Sequence, residues 1–292
     1  MIPILYLLFC TQAASQGTAD KVDISFGIKA WDPVRLKIDE KTGSAFSSPI
    51  RFTAVNSTYY PFMISIDFIQ FENLSPTPAP RSIKVDHGSN NLFTFSIHVP
   101  GMGYGYRFSY TYWLKPADVA INGEFPYLIP LKEGNPVVSM KTPSGKLSDS
   151  FSGKAGDTVF CMRRGIATAV PRSETMDFRL SGHDCLEVLH DDGTYMIYHF
   201  LMKNDNLTAP GKIVLPGQPV GRISDSSYIR VELLKIINTD NLMFSQPIRY
   251  TTGKAGTLLF DQIDGIEKSV HPKEIISLEM KSRELKQTGR KR

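Results

Sequence analysis

His183, His190 and His199 lie close together in the chain, in a stretch that also carries Asp184, Asp191 and Asp192. Imidazole and carboxylate groups are the ligands of hydrolytic zinc, which takes three of them and keeps one position open for an activated water. Spacing argues against such a site here. The histidines sit in or beside runs that read as strands, where neighbours face opposite sides. Bringing His199 round would turn a whole apolar set outward. No histidine occurs between His98 and His183, and an isolated strand histidine serves structure more readily than ligation. Other catalytic groups fare no better. Ser150 and Ser152 have no nucleophile elbow around them, and Cys161 and Cys185 have no cysteine-protease context. The pair Asp191-Asp192 precedes Gly193 in what reads as a hairpin turn, where solvated carboxylates are ordinary.

The elements that would carry these residues are strands. From about residue 22 to 114 the chain alternates apolar and polar residues in short runs, as in Ile50-Arg51-Phe52-Thr53-Ala54 and Met63-Ile64-Ser65-Ile66-Asp67-Phe68. Turn clusters such as Ser75-Pro76-Thr77-Pro78 separate them. This predicts an N-terminal β-sandwich of immunoglobulin-like size over residues 16–114. The glycines of Gly101-Met102-Gly103-Tyr104-Gly105 have no helical pattern after them, so they read as a turn and not as a dinucleotide loop. A linker is expected over residues 115–124 and a second all-β unit over 125–262, with strands at about 158–161, 166–170, 185–190, 194–201, 213–215 and 228–234. Residues 263–292 read as a weakly helical, basic tail, solvated or frayed at the end of the chain.

Composition sets the wider limits. A hydrophobic content of 41% over 292 residues can fill two cores. The net charge of +4 comes largely from Lys281, Arg283, Lys286, Arg290, Lys291 and Arg292, so the body is nearly neutral and no nucleic-acid groove is expected. Residues 1–15 read as an export signal peptide: an apolar run ends in Thr11-Gln12-Ala13-Ala14-Ser15, and that run is too short to span a bilayer. Phe9 is a poor neighbour for lipid attachment at Cys10. Cys161 and Cys185 both lie in apolar strand-like runs, which favours buried thiols over a disulfide.

One longer pattern joins these pieces. The stretch from Asp192 to Gly221 contains Tyr198-His199-Phe200-Leu201 and later Val214-Leu215-Pro216-Gly217-Gln218-Pro219-Val220-Gly221. It resembles the strand pair of the LytM-type, lysostaphin-like zinc endopeptidases of peptidoglycan, whose first strand ends in Y-x-H-L and whose second begins V-x-x-G-Q-x-I-G. Phe125-Pro126-Tyr127-Leu128-Ile129-Pro130 resembles the family's lead into the catalytic domain, and Gly156-Asp157-Thr158-Val159 resembles its G-T-x-V strand. Ser227-Tyr228-Ile229-Arg230-Val231-Glu232-Leu233 is similar to its P-H-L-H-F-E-L.

The resemblance implies a LytM-like, duplicated-hybrid-motif β domain with its chemistry replaced. Phe200 and Tyr228 fall where the family has catalytic histidines. Lys146, Ser150 and Arg230 fall where it has zinc ligands. An arginine stays protonated and accepts no metal bond, yet its planar fork suits a carboxylate. The expected cofactor is therefore none, and the expected ligand-binding candidates are Arg230, Tyr228, Tyr198 and Phe200. On this reading the protein is an exported, periplasmic or envelope protein with a non-catalytic domain. It binds peptidoglycan peptides or regulates an envelope hydrolase. Two alternatives stay open: an active zinc endopeptidase using displaced ligands, and a purely structural exported protein. If Thr194 to Leu201 is a central strand, Tyr198 and Phe200 should share one face and His199 the other.

Overall fold

A computed structural model describes residues 6–8, 33–40, 49–79, 81–116, 123–140, 148–168, 184–202, 207–236, 243–253, 256–263 and 267–287. Most of the expected leader and linker lies outside them. The chain divides at Lys115 into two compact units. Both are built from strands, nearly all antiparallel, so the all-β expectation holds.

The first unit has two four-stranded sheets. One runs Val34–Asp39, Ile50–Asn56, Gly88–Ile97 and Leu74–Ser75; the other runs Tyr6–Leu8, Gly105–Leu114, Phe62–Glu72 and Ser82–Val85. The alternation legible in Ile50–Asn56 sends Ile50, Phe52 and Ala54 inward. Phe52 meets Phe95 of its own sheet and Phe108 of the other edge-on, at 5.6 and 5.4 Å between centroids, the geometry aromatic quadrupoles favour.

The second unit is organised around one large sheet. Its order is Ser139–Met140, Asp149–Ser152, Tyr228–Ile236, Thr194–Leu201, Asp184–Leu189, Gly165–Thr168 and Ile213–Val214, with Met243–Gln246 also paired to Tyr228–Ile236. Thr194–Leu201 is buried along its whole length, which explains why its sequence is apolar on both faces. Phe151, Tyr198, Ile229, Val231 and Leu233 enter one core together with Tyr127, Ile129 and Tyr250. At Gly165 a Cβ would lie 2.5 Å from the Leu189 carbonyl, so glycine is what lets these two strands close up.

The expectation of a solvated or frayed tail is corrected. Residues 267–287 fold back onto the second unit through the helices Lys273–Ser277 and Ser282–Gln287, and Ile276, Met280 and Leu285 form a small core with Leu128. Two acids hold it: Glu279 pairs with Arg163 and Glu284 with Arg164. Of the basic residues that suggested a tail, Lys281, Arg283 and Lys286 are exposed, and Arg290, Lys291 and Arg292 lie outside the described residues.

Candidate functional site

Three strands set Ser150, Arg230 and His199 in a row. Ser150 lies directly opposite Arg230, and Arg230 directly opposite His199. Residues opposite one another in an antiparallel pair project to the same face, so all three share it. Tyr228 and Glu232, two residues either side of Arg230, share it as well. The other face carries Phe151, Ile229, Val231 and Tyr198 into the main core. The Ser150 and Arg230 positions thus stand side by side.

Phe200 reaches the same face by an irregular backbone. Its φ is +66°, a left-handed conformation that bulky residues rarely adopt. Pairing with the Arg230 strand stops at His199, and beyond the kink Leu201 bridges to Ile223 while the Phe200 carbonyl accepts from Ser224 at 2.9 Å. The ring lies 4.6 Å from Tyr228, and the Arg230 guanidinium stands 5.2 Å from its centroid. The shared face expected for Tyr198 and Phe200 is thereby overturned: the kink turns Phe200 to the side of His199. Tyr198 is fully buried, with its hydroxyl accepting from the Met162 amide at 2.8 Å. It is a core residue and drops out of the binding candidates.

The charges on this face are unevenly matched. Glu232 Oε1 accepts from Ser245 at 2.6 Å, and its Oε2 lies 3.7 Å from His199 Nε2, a Coulombic approach longer than a hydrogen bond. Burial alone would raise the Glu232 carboxyl, but His199, Ser245 and the Arg230 charge outweigh it and hold it below its ordinary range. Burial lowers the His199 imidazole, and the neighbouring Arg230 charge adds to that against the opposing pull of Glu232. Among the described residues Arg230 has no ion pair, and its Nε is buried without a hydrogen-bond acceptor. Ser150 Oγ, 1% exposed as a residue, likewise has no partner among them.

Zinc does not fit this donor set. Of the three expected ligand positions, Lys146 lies outside the described residues, Ser150 offers a neutral hydroxyl, and Arg230 brings a permanent positive charge to the spot the cation would take. Among the described residues no three His, Cys, Asp or Glu side chains gather as a ligand group. His183 lies outside them. His190 is buried with Nδ1 2.8 Å from the Arg164 carbonyl, a structural placement.

Several residues that shape the unit gave no signal in the sequence. Asp191 and Asp192 occupy the expected turn, yet they are not simply solvated: Asp192 receives Arg163 at 2.7 Å and Asp191 receives Arg164 at 2.8 Å. Arg163 also donates to the Tyr127 hydroxyl and stacks 3.9 Å from the Phe125 ring. The role of Glu232 and Ser245 beside the row was equally hidden, because it depends on which strand lies next to which. Cys161 is a buried thiol donating to the Arg163 carbonyl at 3.0 Å, so no disulfide joins it to Cys185.

The sequence matches no protein-family model and no curated protein. Among solved structures it is similar to the M23 metalloprotease pseudoalterin from the deep sea, at 15% identity over 51% of this chain and 97% of that one, with a TM-score of 0.31. A zinc-containing peptidase from Vibrio cholerae aligns at 12% identity over 73% of this chain and 83% of that one, TM-score 0.27. Csd3 from Helicobacter pylori aligns at 9% identity over 88% and 76%, TM-score 0.26. Scores this low carry no weight by themselves, and the functional reading stands on the row of side chains described above.

Proposed function

We infer that this chain is an exported cell-envelope protein whose second unit keeps a LytM-like peptidase scaffold and acts by binding rather than by hydrolysis. The observation that carries this is Arg230, placed in register between Ser150 and His199 where the resemblance puts a zinc ligand. A guanidinium there repels a cation and donates where a ligand would have to accept. Phe200, at one of the catalytic histidine positions, has no proton to give or take, and it meets Tyr228, at the other, as an aromatic pair. What is left is a cationic, aromatic floor suited to an anionic peptide. Peptidoglycan stem peptides or an acidic segment of an envelope hydrolase have that chemistry. Export rests on the apolar N-terminal run as a sequence, although its Tyr6–Leu8 pairs with Gly105–Leu114 here, and no helix among the described residues is long and apolar enough to cross a membrane.

The test combines metal analysis with sacculi. Protein purified from zinc-supplemented cells should carry far less than about one equivalent of zinc after dialysis, since a site with several good ligands would retain it. It should sediment with purified sacculi and release no soluble fragments from them. Retained zinc together with fragment release would establish the displaced-ligand peptidase instead.

A further inference from the structure

We propose that Arg230 and Ser150 form a receptor for a peptide carboxylate, with Phe200 and Tyr228 as the wall against which the ligand's body packs. This rests on the binding reading above and names the group bound. Two donors, the Arg230 Nε–H and the Ser150 Oγ–H, sit opposite one another on adjacent strands. Both are buried and neither has an acceptor among the described residues. A folded chain loses free energy by burying donors this way, and a ligand that supplies an acceptor recovers it. The acceptor that matches is a carboxylate, whose two oxygens carry about four lone-pair sites between them. It would answer the arginine's charge as well as both donors.

Neighbouring groups narrow the choice further. The acid on the same strand, Glu232, feels the Arg230 charge at a distance, but its oxygens are turned to Ser245 and His199 and no hydrogen bond or ion pair joins it to the guanidinium. Among the described residues no salt bridge pins the guanidinium, which lies against the Phe200 ring. Its residue is only half buried, so the side chain can lift outward and admit ligand oxygens to the donors beneath it. A phosphate or sulfate would also satisfy the charge, but the aromatic pair beside the donors fits a ligand with an apolar body next to its anion.

The carboxylate could be a C-terminal α-carboxylate or an acidic side chain. Calorimetric titration of the full chain with three probes separates them: N-acetyl-alanyl-alanine with a free C-terminus, the same dipeptide amidated, and an amidated dipeptide containing one glutamate. We expect binding of the free acid, of the glutamate peptide, or of both, and none of the amidated dipeptide. Arg230→Met should weaken that binding by about tenfold to a hundredfold, the loss of a charge-assisted pair. Arg230→Lys, keeping charge but not the fork, should fall between. Ser150→Ala is the decisive control: removing an unpartnered buried hydroxyl should leave the thermal midpoint unchanged or higher while binding weakens several-fold, by about fivefold. A residue there for structure alone would behave in the opposite way. Equal binding of acid and amide, or an Arg230→Met protein that is folded by circular dichroism and binds the acid as before, overturns the proposal. If sacculi still sediment that variant, the envelope-binding reading survives without it. If the wild type binds the acid but ignores sacculi, the receptor stands and the envelope reading falls.

Discussion

Tyr198 and Phe200 are two residues apart in one strand and would share a face in any regular ladder. They end on opposite faces because Phe200 takes φ +66°. The difference decides which of them can touch a ligand. Tyr198 holds the Met162 amide from inside the core, so Tyr198→Phe should cost about 1 to 2 kcal/mol by leaving that N–H without its acceptor. Urea denaturation would measure the loss, and peptide affinity should not change. A Tyr198→Phe protein of full stability, or one with weakened binding, would contradict this placement. At this scale the sequence showed the positions and hid the directions. A motif singled out Ser150 and Arg230, but not the pairing that sets them opposite one another. The kink at Phe200 was not legible either, since its left-handed backbone follows from where Leu201 and Ser224 find their partners across the sheet.

The segment 267–287 shows the same division among elements. Its helices Lys273–Ser277 and Ser282–Gln287 have too few residues to be stable alone, and Ile276, Met280 and Leu285 are spread thinly among charged residues. Nothing local announces a packed element, which is why it reads as a tail. What holds it is non-local: the Arg163 and Arg164 side chains are 5% and 3% exposed, and Glu279 and Glu284 meet them from the C-terminal segment. Without Glu284 the buried Arg164 keeps Asp191 as a partner but loses its bidentate one, so Glu284→Ala should destabilise the second unit by about 2 kcal/mol. The double variant Glu284→Leu, Arg164→Met should recover much of that, because two apolar residues of similar volume remove the half-paired charge. A solvated tail would leave the denaturation midpoint of Glu284→Ala within experimental scatter of the wild type. Chain ends that depend on partners more than a hundred residues away are the elements least legible in sequence, whereas the alternation of Ile50–Asn56 was plain because it needs only its own neighbours.

For the molecule as a whole, the buried titratable groups of the second unit pull its pH dependence in opposite directions. Burial raises the Asp149 carboxyl from 3.8 to about 6, against the hydrogen bond from Tyr250, and raises Glu187 from 4.5 to about 7. The folded state therefore holds more protons than the unfolded chain across that window, and these two groups lower stability as pH rises through it. His190 does the reverse. Burial, with the Arg163 charge adding, lowers it from 6.5 to about 3, so the unfolded chain holds the extra proton and stability falls on acidification. His199, also lowered, acts in the same direction. The two sets oppose one another between about pH 4.5 and 6, where each unbalanced proton would change stability by about 1.4 kcal/mol per pH unit. The thermal midpoint of the wild-type second unit should thus vary less over that range than either set alone would make it. Below it, Glu284 and Asp192 lose charge as well: Arg164 holds the first down, and the Arg163 charge with the Thr194 hydrogen bonds outweighs burial at the second. Groups with depressed values give stability that is lost as pH falls through them, so the second unit should then weaken further. Replacing Asp149 by Asn and Glu187 by Gln removes one side of the balance and keeps the shapes. In that double variant the midpoint should fall steadily from about pH 6.5 to 4.5, driven by the histidines alone. Scanning calorimetry at three or more pH values would resolve this. Parallel curves for variant and wild type would mean that neither carboxyl titrates in that window.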